Sequence, residues 1–281
     1  MEKITLQSPL GLIAGNGAFP IEFVQNARAR SLGVVVLAHI GETDPQIEKI
    51  ATRCVWVKFG QLGRIIDVFL KNGVKQAALA GGIRRVNLFG GVKFDLTALG
   101  VIARLASRKD DSALRGIAAE IERHGITIIP ANLLLEQSVP KAGLLSKREL
   151  SADELKDALV GFEAAREIGK LDIGQTVVVN QGLITAVEAI EGTDLALKRA
   201  GELARGKGGV VVKLCKPQQD LRFDLPTVGP KTIELMRLGG LTAIVLEAGR
   251  SLMLDPVEVI RCADAAKIAV LAVEAREGLL R

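Results

Sequence analysis

The run Arg222-Phe223-Asp224-Leu225-Pro226-Thr227-Val228-Gly229 gathers a cation, a carboxylate, a rigid proline and a glycine into one short segment, with Lys213, Lys216 and Asp220 just ahead of it. A carboxylate among cations can ligate a divalent ion or orient a water while the cations neutralise an anionic substrate. A surface loop with ordinary salt bridges has the same composition, so the run alone leaves both readings open. Further carboxylates stand at Asp172, Glu188, Glu191, Asp194, Glu247 and Asp255, several beside glycine or at the ends of apolar runs. Sites tend to lie at such places.

Other hydrolytic chemistries lack their parts. The two histidines, His39 and His124, have no companions at metal-ligand spacing, which disfavours zinc hydrolysis and a Ser-His-Asp relay. His124, just before Gly125, suits a favourable charge at a helix C-terminus. Cys54, Cys215 and Cys262 are far apart with no CxxC spacing, and the first two are expected as buried thiols in apolar runs. Oxygen-ligated Mg²⁺ stays open, because it needs few carboxylates and shares phosphate oxygens.

The elements that must position these residues alternate. Leu10 to Gly15 reads as a strand, Asn16-Gly17-Ala18-Phe19-Pro20 as a turn, and Ile21 to Ser31 as a helix, a shape that offers backbone N–H groups to a phosphate. Strands at Val34–Ala38, Val55–Phe59 and Gln76–Ala80 alternate with helices at Pro45–Ala51 and Gly63–Lys71. Alternation of this kind predicts a parallel sheet covered on both faces, with ligands beyond the strands' carboxyl ends. Gly15 to Gly17 and Gly81-Gly82-Ile83-Arg84-Arg85 would both fall on that edge. The pattern GxGxxP, and a second strand whose tip is acidic only if Glu42 serves, fit a dinucleotide cofactor poorly; no GxxxxGK[ST] run is present. Lys109-Asp110-Asp111 opens an amphipathic run from Ser112 to His124, read as helix capping or as a metal or sugar contact.

Ser138 to Ser151, with Pro140 and Gly143, reads as a linker. Beyond it Ser151 and Glu154 form a capping box for a helix over Ala152–Ile168. Asn180-Gln181-Gly182 marks a hairpin, Gly192-Thr193-Asp194 opens a helix to Ala204, and Val210 to Leu214 is a strand feeding the Arg222–Gly229 run. The expected fold is α/β: a Rossmann-like parallel-sheet nucleotide-binding domain over residues 1–140 and a mixed α/β domain over 141–281, with a ligand at the interface.

Composition agrees with a globular chain of 281 residues, 48% hydrophobic and 25% charged. Aromatics make up only 3%, which argues against stacking on single-stranded nucleic acid. The net charge of +5 suits an anionic small substrate or an anionic membrane surface. No apolar run reaches the roughly 18 residues of a membrane span and no signal peptide is evident, so the chain reads as cytoplasmic.

Taken in order, the segments GLIAGNGAFP (Gly11 to Pro20), AGGIRR (Ala80 to Arg85), KDDSALR (Lys109 to Arg115), AREIGKLDIGQTVVV (Ala165 to Val179), VEAIEGTD (Val187 to Asp194), KPQQDLRFDLPTVG (Lys216 to Gly229) and EAGRSLMLD (Glu247 to Asp255) resemble the UDP-2,3-diacylglucosamine pyrophosphatase family of lipid A biosynthesis, the branch without a metallophosphoesterase fold. One departure is local: relatives often read KGDD where this chain has Arg108-Lys109-Asp110-Asp111. The resemblance implies water-driven cleavage of the UDP-sugar pyrophosphate at the α-phosphorus, with Mg²⁺ assistance, to UMP and 2,3-diacylglucosamine 1-phosphate. It implies a ligand between two domains and an essential aspartate, here Asp224. On that reading Asp224 ligates Mg²⁺ or activates water, and Asp194 and Asp111 are further metal or sugar contacts. Lys213, Lys216 and Arg222 neutralise phosphate. Gly15, Asn16 and Gly17 meet the uridine diphosphate part, and Gly81, Gly82, Arg84, Gln175, Thr193 and Thr227 complete the substrate contacts. An apolar groove for the acyl chains is expected in the C-terminal half. The partners expected are the UDP-linked diacylated sugar, transiently the anionic inner-membrane surface, and a second copy of the chain; nucleic acid is not among them. The rivals are a non-catalytic nucleotide-sugar or lipid-binding regulator, which would release no UMP, and a nicotinamide-dependent oxidoreductase, which would show bound-cofactor absorbance.

Overall fold

Three short runs, LGLIA, VVVLAH and QAALA, are apolar nearly throughout because both their faces are covered. They are β1 (Leu10–Ala14), β2 (Val34–His39) and β4 (Gln76–Ala80), the middle of a parallel sheet that β3 (Arg53–Val57) and β5 (Thr127–Ile128) extend. The sheet order is β3-β2-β1-β4-β5. Helices α1 (Phe19–Ala29), α2 (Ile47–Ile50), α3 (Leu62–Lys71), α4 (Leu96–Ala106) and α5 (Ala113–Arg123) complete the unit. The computed structural model describes residues 4–82, 93–106, 113–222 and 225–280.

Side chains alternate across a strand, so each strand feeds two cores. Leu10, Leu12 and Ala14 join Phe23, Val24 and Ala27 of α1. Ile13 and Leu37 join Leu62, Ile65, Ile66 and Phe69 of α3 on the other face. The α3 residues recur at helical spacing, which is why that stretch coils and buries one side. Helix α4 and strand β5 were not read from the sequence; α4 sits in a run with few polar residues to mark a face, and β5 is two residues long.

From Glu136 onward the chain belongs, except for a short excursion that includes Arg222, to a second unit. Its elements are β6 (Gly143–Leu144), α6 (Ala152–Lys170), β7 (Thr176–Asn180), β8 (Leu183–Val187), α7 (Thr193–Ala204), β9 (Val210–Lys213), β10 (Thr227–Val228), α8 (Pro230–Leu238), β11 (Ala243–Glu247), β12 (Leu252–Met253), α9 (Pro256–Ala265) and β13 (Ala269–Val273). The main sheet runs β6-β13-β11-β9-β7-β8. Strands β13, β11 and β9 are parallel, and β6, β7 and β8 add antiparallel edges. Helix α6 packs Ala158, Phe162 and Ala165 on one face of the sheet; α7, α8 and α9 cover the other. Both units are therefore α/β, the first parallel and the second mixed.

Two local signals act as expected. The Ser151 hydroxyl accepts the Glu154 N–H at 3.2 Å while Glu154 Oε2 accepts the Ser151 N–H at 2.8 Å. The β7–β8 hairpin turns on Gln181 and Gly182, both with positive φ, and the buried Asp157 carboxylate accepts their two N–H groups at 2.9 and 2.6 Å. The expected linker is corrected. Residues 143–144 pair with β13, the Ser146 hydroxyl accepts the Val270 N–H at 2.8 Å, and Arg148 is clamped by both carboxylate oxygens of Glu154. Lack of periodicity there reflects an edge strand too short to show a pattern. Among the described residues no helix is long and apolar enough to cross a membrane.

Candidate active site

In the first sheet the chain places β2 and β3 on one side of β1 and β4 and β5 on the other. The switch lies between β1 and β4, whose last residues Ala14 and Ala80 are in register. Crevices beyond the carboxyl ends at such a switch are where ligands bind. Both glycine loops emerge here. Gly15 N–H donates to the Ala80 carbonyl and Asn16 N–H to the Gly82 carbonyl, each at 2.8 Å. The approach is so close that a Cβ on Gly15 would lie 2.2 Å from the Gly82 oxygen. Behind the loops α1 begins with no side-chain cap, so the positive end of its dipole opens on the crevice.

The wall of the crevice comes from the end of β2. Asn16 Nδ2 donates to Glu42 Oε2 at 2.6 Å. The Ala14 carbonyl accepts from Thr43 Oγ1 at 2.7 Å and from His39 Nδ1 at 3.0 Å, which puts the imidazole proton on Nδ1. The ring stacks on Phe59, centroids 4.6 Å apart. Burial pushes the His39 pKa down; the bond to Ala14 and the Glu42 charge oppose it. His39, Thr43 and Phe59 carried no site signal in the sequence, since their roles depend on where β1 ends beside β2.

The second unit has its own polar edge, where β9 and β11 finish. Lys213, the last residue of β9, is almost fully buried and donates to Thr193 Oγ1 at 2.7 Å. Thr193, the first residue of α7, donates in turn to Glu188 Oε1 at 2.8 Å. Glu247, at the end of β11, is buried and accepts the Cys215 N–H at 2.9 Å and Arg250 Nη1 at 3.2 Å. Gln175 Oε1 is buried with no partner among the described residues. Lys213, Thr193 and Glu188 are thus brought together, and the buried Lys213 is not the solvated cation that a basic loop suggests.

Other expected residues are engaged elsewhere. Lys216 Nζ pairs with Asp172 Oδ1 at 2.5 Å. Arg222 clusters with the first unit, where it pairs with Glu122 at 3.1 Å. Lys216 and Arg222 therefore belong to different units despite their closeness in sequence. Asp194 pairs with Lys231 at 2.5 Å, Thr227 Oγ1 donates to the Leu225 carbonyl, and Asp255 caps α9 by accepting the Glu258 N–H. Asp224, Asp111 and Arg84 lie outside the described residues, as does the Lys109-Asp110-Asp111 helix opening. Cys215 is buried, whereas Cys54 is partly exposed because β3 is an edge strand. Among the described residues no three His, Cys, Asp or Glu side chains group as a metal site.

Residues 9–138 match the model of the LpxI N-terminal domain, and residues 141–271 match that of the LpxI C-terminal domain. The chain is also similar, at 37% identity over 95% of its length and 98% of the relative's, to the UDP-2,3-diacylglucosamine pyrophosphatase LpxI of Caulobacter vibrioides. The chain belongs to the LpxI family. In family terms the glycine crevice lies in the LpxI N-terminal domain and the Lys213 edge in the LpxI C-terminal domain. Among solved structures, the biotin carboxylase subunit of pyruvate carboxylase matches at 14% identity with a TM-score of 0.28, over 71% of this chain and 42% of that one. N5-carboxyaminoimidazole ribonucleotide synthetase from Thermotoga maritima matches at 14% and 0.27, over 65% and 41%. The LpxI chain spans about two-fifths of the length of these two structures, and likenesses so slight carry no functional argument.

Proposed function

We propose that the chain hydrolyses the pyrophosphate bond of UDP-2,3-diacylglucosamine in lipid A biosynthesis, working in the cytoplasm at the inner-membrane surface. The end-to-end similarity to a curated pyrophosphatase of that substrate carries the reading. Water oxygen bonds to the α-phosphorus, the bond from that phosphorus to the bridging oxygen breaks, and UMP and 2,3-diacylglucosamine 1-phosphate leave.

Residues take parts in this reaction according to their chemistry. The Gly15 and Asn16 N–H groups are taken by Ala80 and Gly82, so the turn from Gly15 to Gly17, with Gly81 and Gly82 beside it, offers the diphosphate a side-chain-free approach, and the uncapped start of α1 behind it offers the positive dipole end. Lys213 offers a buried ammonium to phosphate oxygen and Gln175 an amide group, while Thr193 and Thr227, whose hydroxyl protons go to Glu188 and the Leu225 carbonyl, can only accept from hydroxyls of the sugar. Lys216 and Arg222 add charge. Asp224 serves the attacking water, as its base or through a metal. The carboxylates that would hold a metal are Asp224 and Asp111, with Asp194 available only on leaving Lys231; they are hard oxygen donors, and Mg²⁺ takes one or two protein carboxylates with phosphate and water completing its shell. When bound, Mg²⁺ would offset charge on the phosphate oxygens.

The test is UMP release from UDP-2,3-diacylglucosamine, expected with the wild type and lost on adding EDTA. Asp224→Ala should lower turnover by about 10³-fold or more while thermal unfolding is unchanged. A wild type that releases no UMP ends the proposal; undiminished turnover in Asp224→Ala removes that residue from the chemistry.

A further inference from the structure

Glu188, the residue just past β8, stands in a row with Thr176 of β7 and Lys213 of β9 on one face of the sheet. Thr176 is the partner of Lys213 across β7 and β9, and the Glu188 N–H donates to the Thr176 carbonyl at 2.9 Å, just past the Val177–Val187 pair. Residues directly opposite in antiparallel strands share a face. The three are 8%, 0% and 4% exposed. Thr193 closes the row, because its hydroxyl accepts from Lys213 and donates to Glu188 Oε1. The direction of that chain is forced: an ammonium only donates and an ionised carboxylate only accepts, so the single hydroxyl proton goes to Glu188.

Two oxygens of the row, Glu188 Oε2 and Thr176 Oγ1, have no hydrogen-bond partner among the described residues. A buried carboxylate with one oxygen unmet costs stability. A glutamine would bridge to Thr193 through its carbonyl and avoid the buried charge. What the glutamine would lack is a negative charge to balance the ammonium two bonds away.

We propose that Glu188 is a positioning residue for Lys213, fixing its ammonium at the carboxyl end of β9 through the Thr193 hydroxyl so that it meets a substrate phosphate. This rests on the reading of Lys213 as a phosphate contact in the pyrophosphate hydrolase. Glu188 touches no reacting atom; it acts through Thr193.

Inorganic pyrophosphate is the probe, titrated calorimetrically into the full chain, with thermal unfolding as the check on folding. Glu188→Gln and Thr193→Val should each raise the pyrophosphate Kd about 10-fold or more, the scale of a lost charge-assisted hydrogen bond. Thr193→Ser, which keeps the hydroxyl, should recover most of that loss. In turnover of the lipid substrate, Glu188→Gln should raise KM more than it lowers kcat, because the phosphate contact exists before the bond breaks. Should Glu188→Gln fail to fold, the Thr193→Val and Thr193→Ser pair decides. The proposal is overturned if Glu188→Gln binds pyrophosphate within twofold of the wild type, if Thr193→Ser is as weak as Thr193→Val, or if the wild type binds no pyrophosphate. A failure of the hydrolase reading alone looks different: pyrophosphate binds and responds to these variants, yet no UMP appears.

Discussion

Placing one methyl group on Gly15 tests whether the two glycine loops form one rigid crevice. A Cβ there would lie 2.2 Å from the Gly82 oxygen and 2.9 Å from the Gly81 carbonyl carbon and oxygen. All these atoms are backbone, so no rotamer change relieves the contact. Restoring 3.4 Å requires the loops to separate by about 1.2 Å. That movement loosens the bonds from Gly15 N–H to Ala80 and from Asn16 N–H to Gly82. Two weakened hydrogen bonds at about 1 kcal/mol each, with an overpacking cost of about 1 to 3 kcal/mol, give roughly 3 to 5 kcal/mol. For a unit of this size that lowers Tm by about 10 °C or more. Gly17→Ala is the comparison. Gly17 has φ +86 but nothing within 4 Å of a Cβ, so only backbone strain of about 1 to 2 kcal/mol applies. The assay is thermal unfolding by circular dichroism with UDP titration on the same samples. Gly15→Ala should unfold well below Gly17→Ala and lose UDP binding; Gly17→Ala should bind UDP more weakly while staying folded. A Gly15→Ala protein with wild-type Tm and UDP affinity refutes the stitched crevice.

The Asp157 carboxylate holds the β7–β8 turn through two N–H groups, so Asp157→Ala should cost about 2 kcal/mol, read as a lower urea midpoint with an unchanged slope. His39 has a folded pKa below its ordinary 6.5. The unfolded chain therefore takes up the proton first, and stability complete above pH 6.5 should decline as the pH falls from there towards the folded value. His39→Gln should flatten that part of the Tm–pH curve, and an unchanged slope would mean that another group titrates there. Glu154 behaves similarly at lower pH. Burial would raise its pKa, but bonds from Arg148, Thr242 and Ser151 prevail and hold it at about 2. Its contribution is present above pH 4.5 and should be lost as the pH falls towards 2; Arg148→Met should shrink that loss, the Thr242 and Ser151 bonds remaining, measured as Tm between pH 5 and 3.

Much of the architecture was legible because it is local. Strands β1, β2 and β4 announce themselves as unbroken apolar runs, α3 as a 3.6-residue repeat, α6 by its Ser151–Glu154 box, and the hairpin by Asn180-Gln181-Gly182. Where periodicity is absent the reading failed: β6 looked like a linker, and α4 and β5 went unseen. Ordered motifs across the whole length pointed to the family that the domain matches then established.

Residue types along the chain determined the alternation of elements, the glycine turns, and the carboxylate and lysine candidates. Tertiary structure alone decided which of these meet. Sheet order sets β1 against β4, so Gly15 and Asn16 are bonded to Ala80 and Gly82. The antiparallel return of β7 and β8 sets Glu188 and Thr193 around a buried Lys213, while Lys216 turns away to Asp172 and Asp194 to Lys231. Hydrophobic periodicity is a property of near neighbours, whereas strand order and side-chain partners follow from burying whole faces at once, which no local pattern encodes.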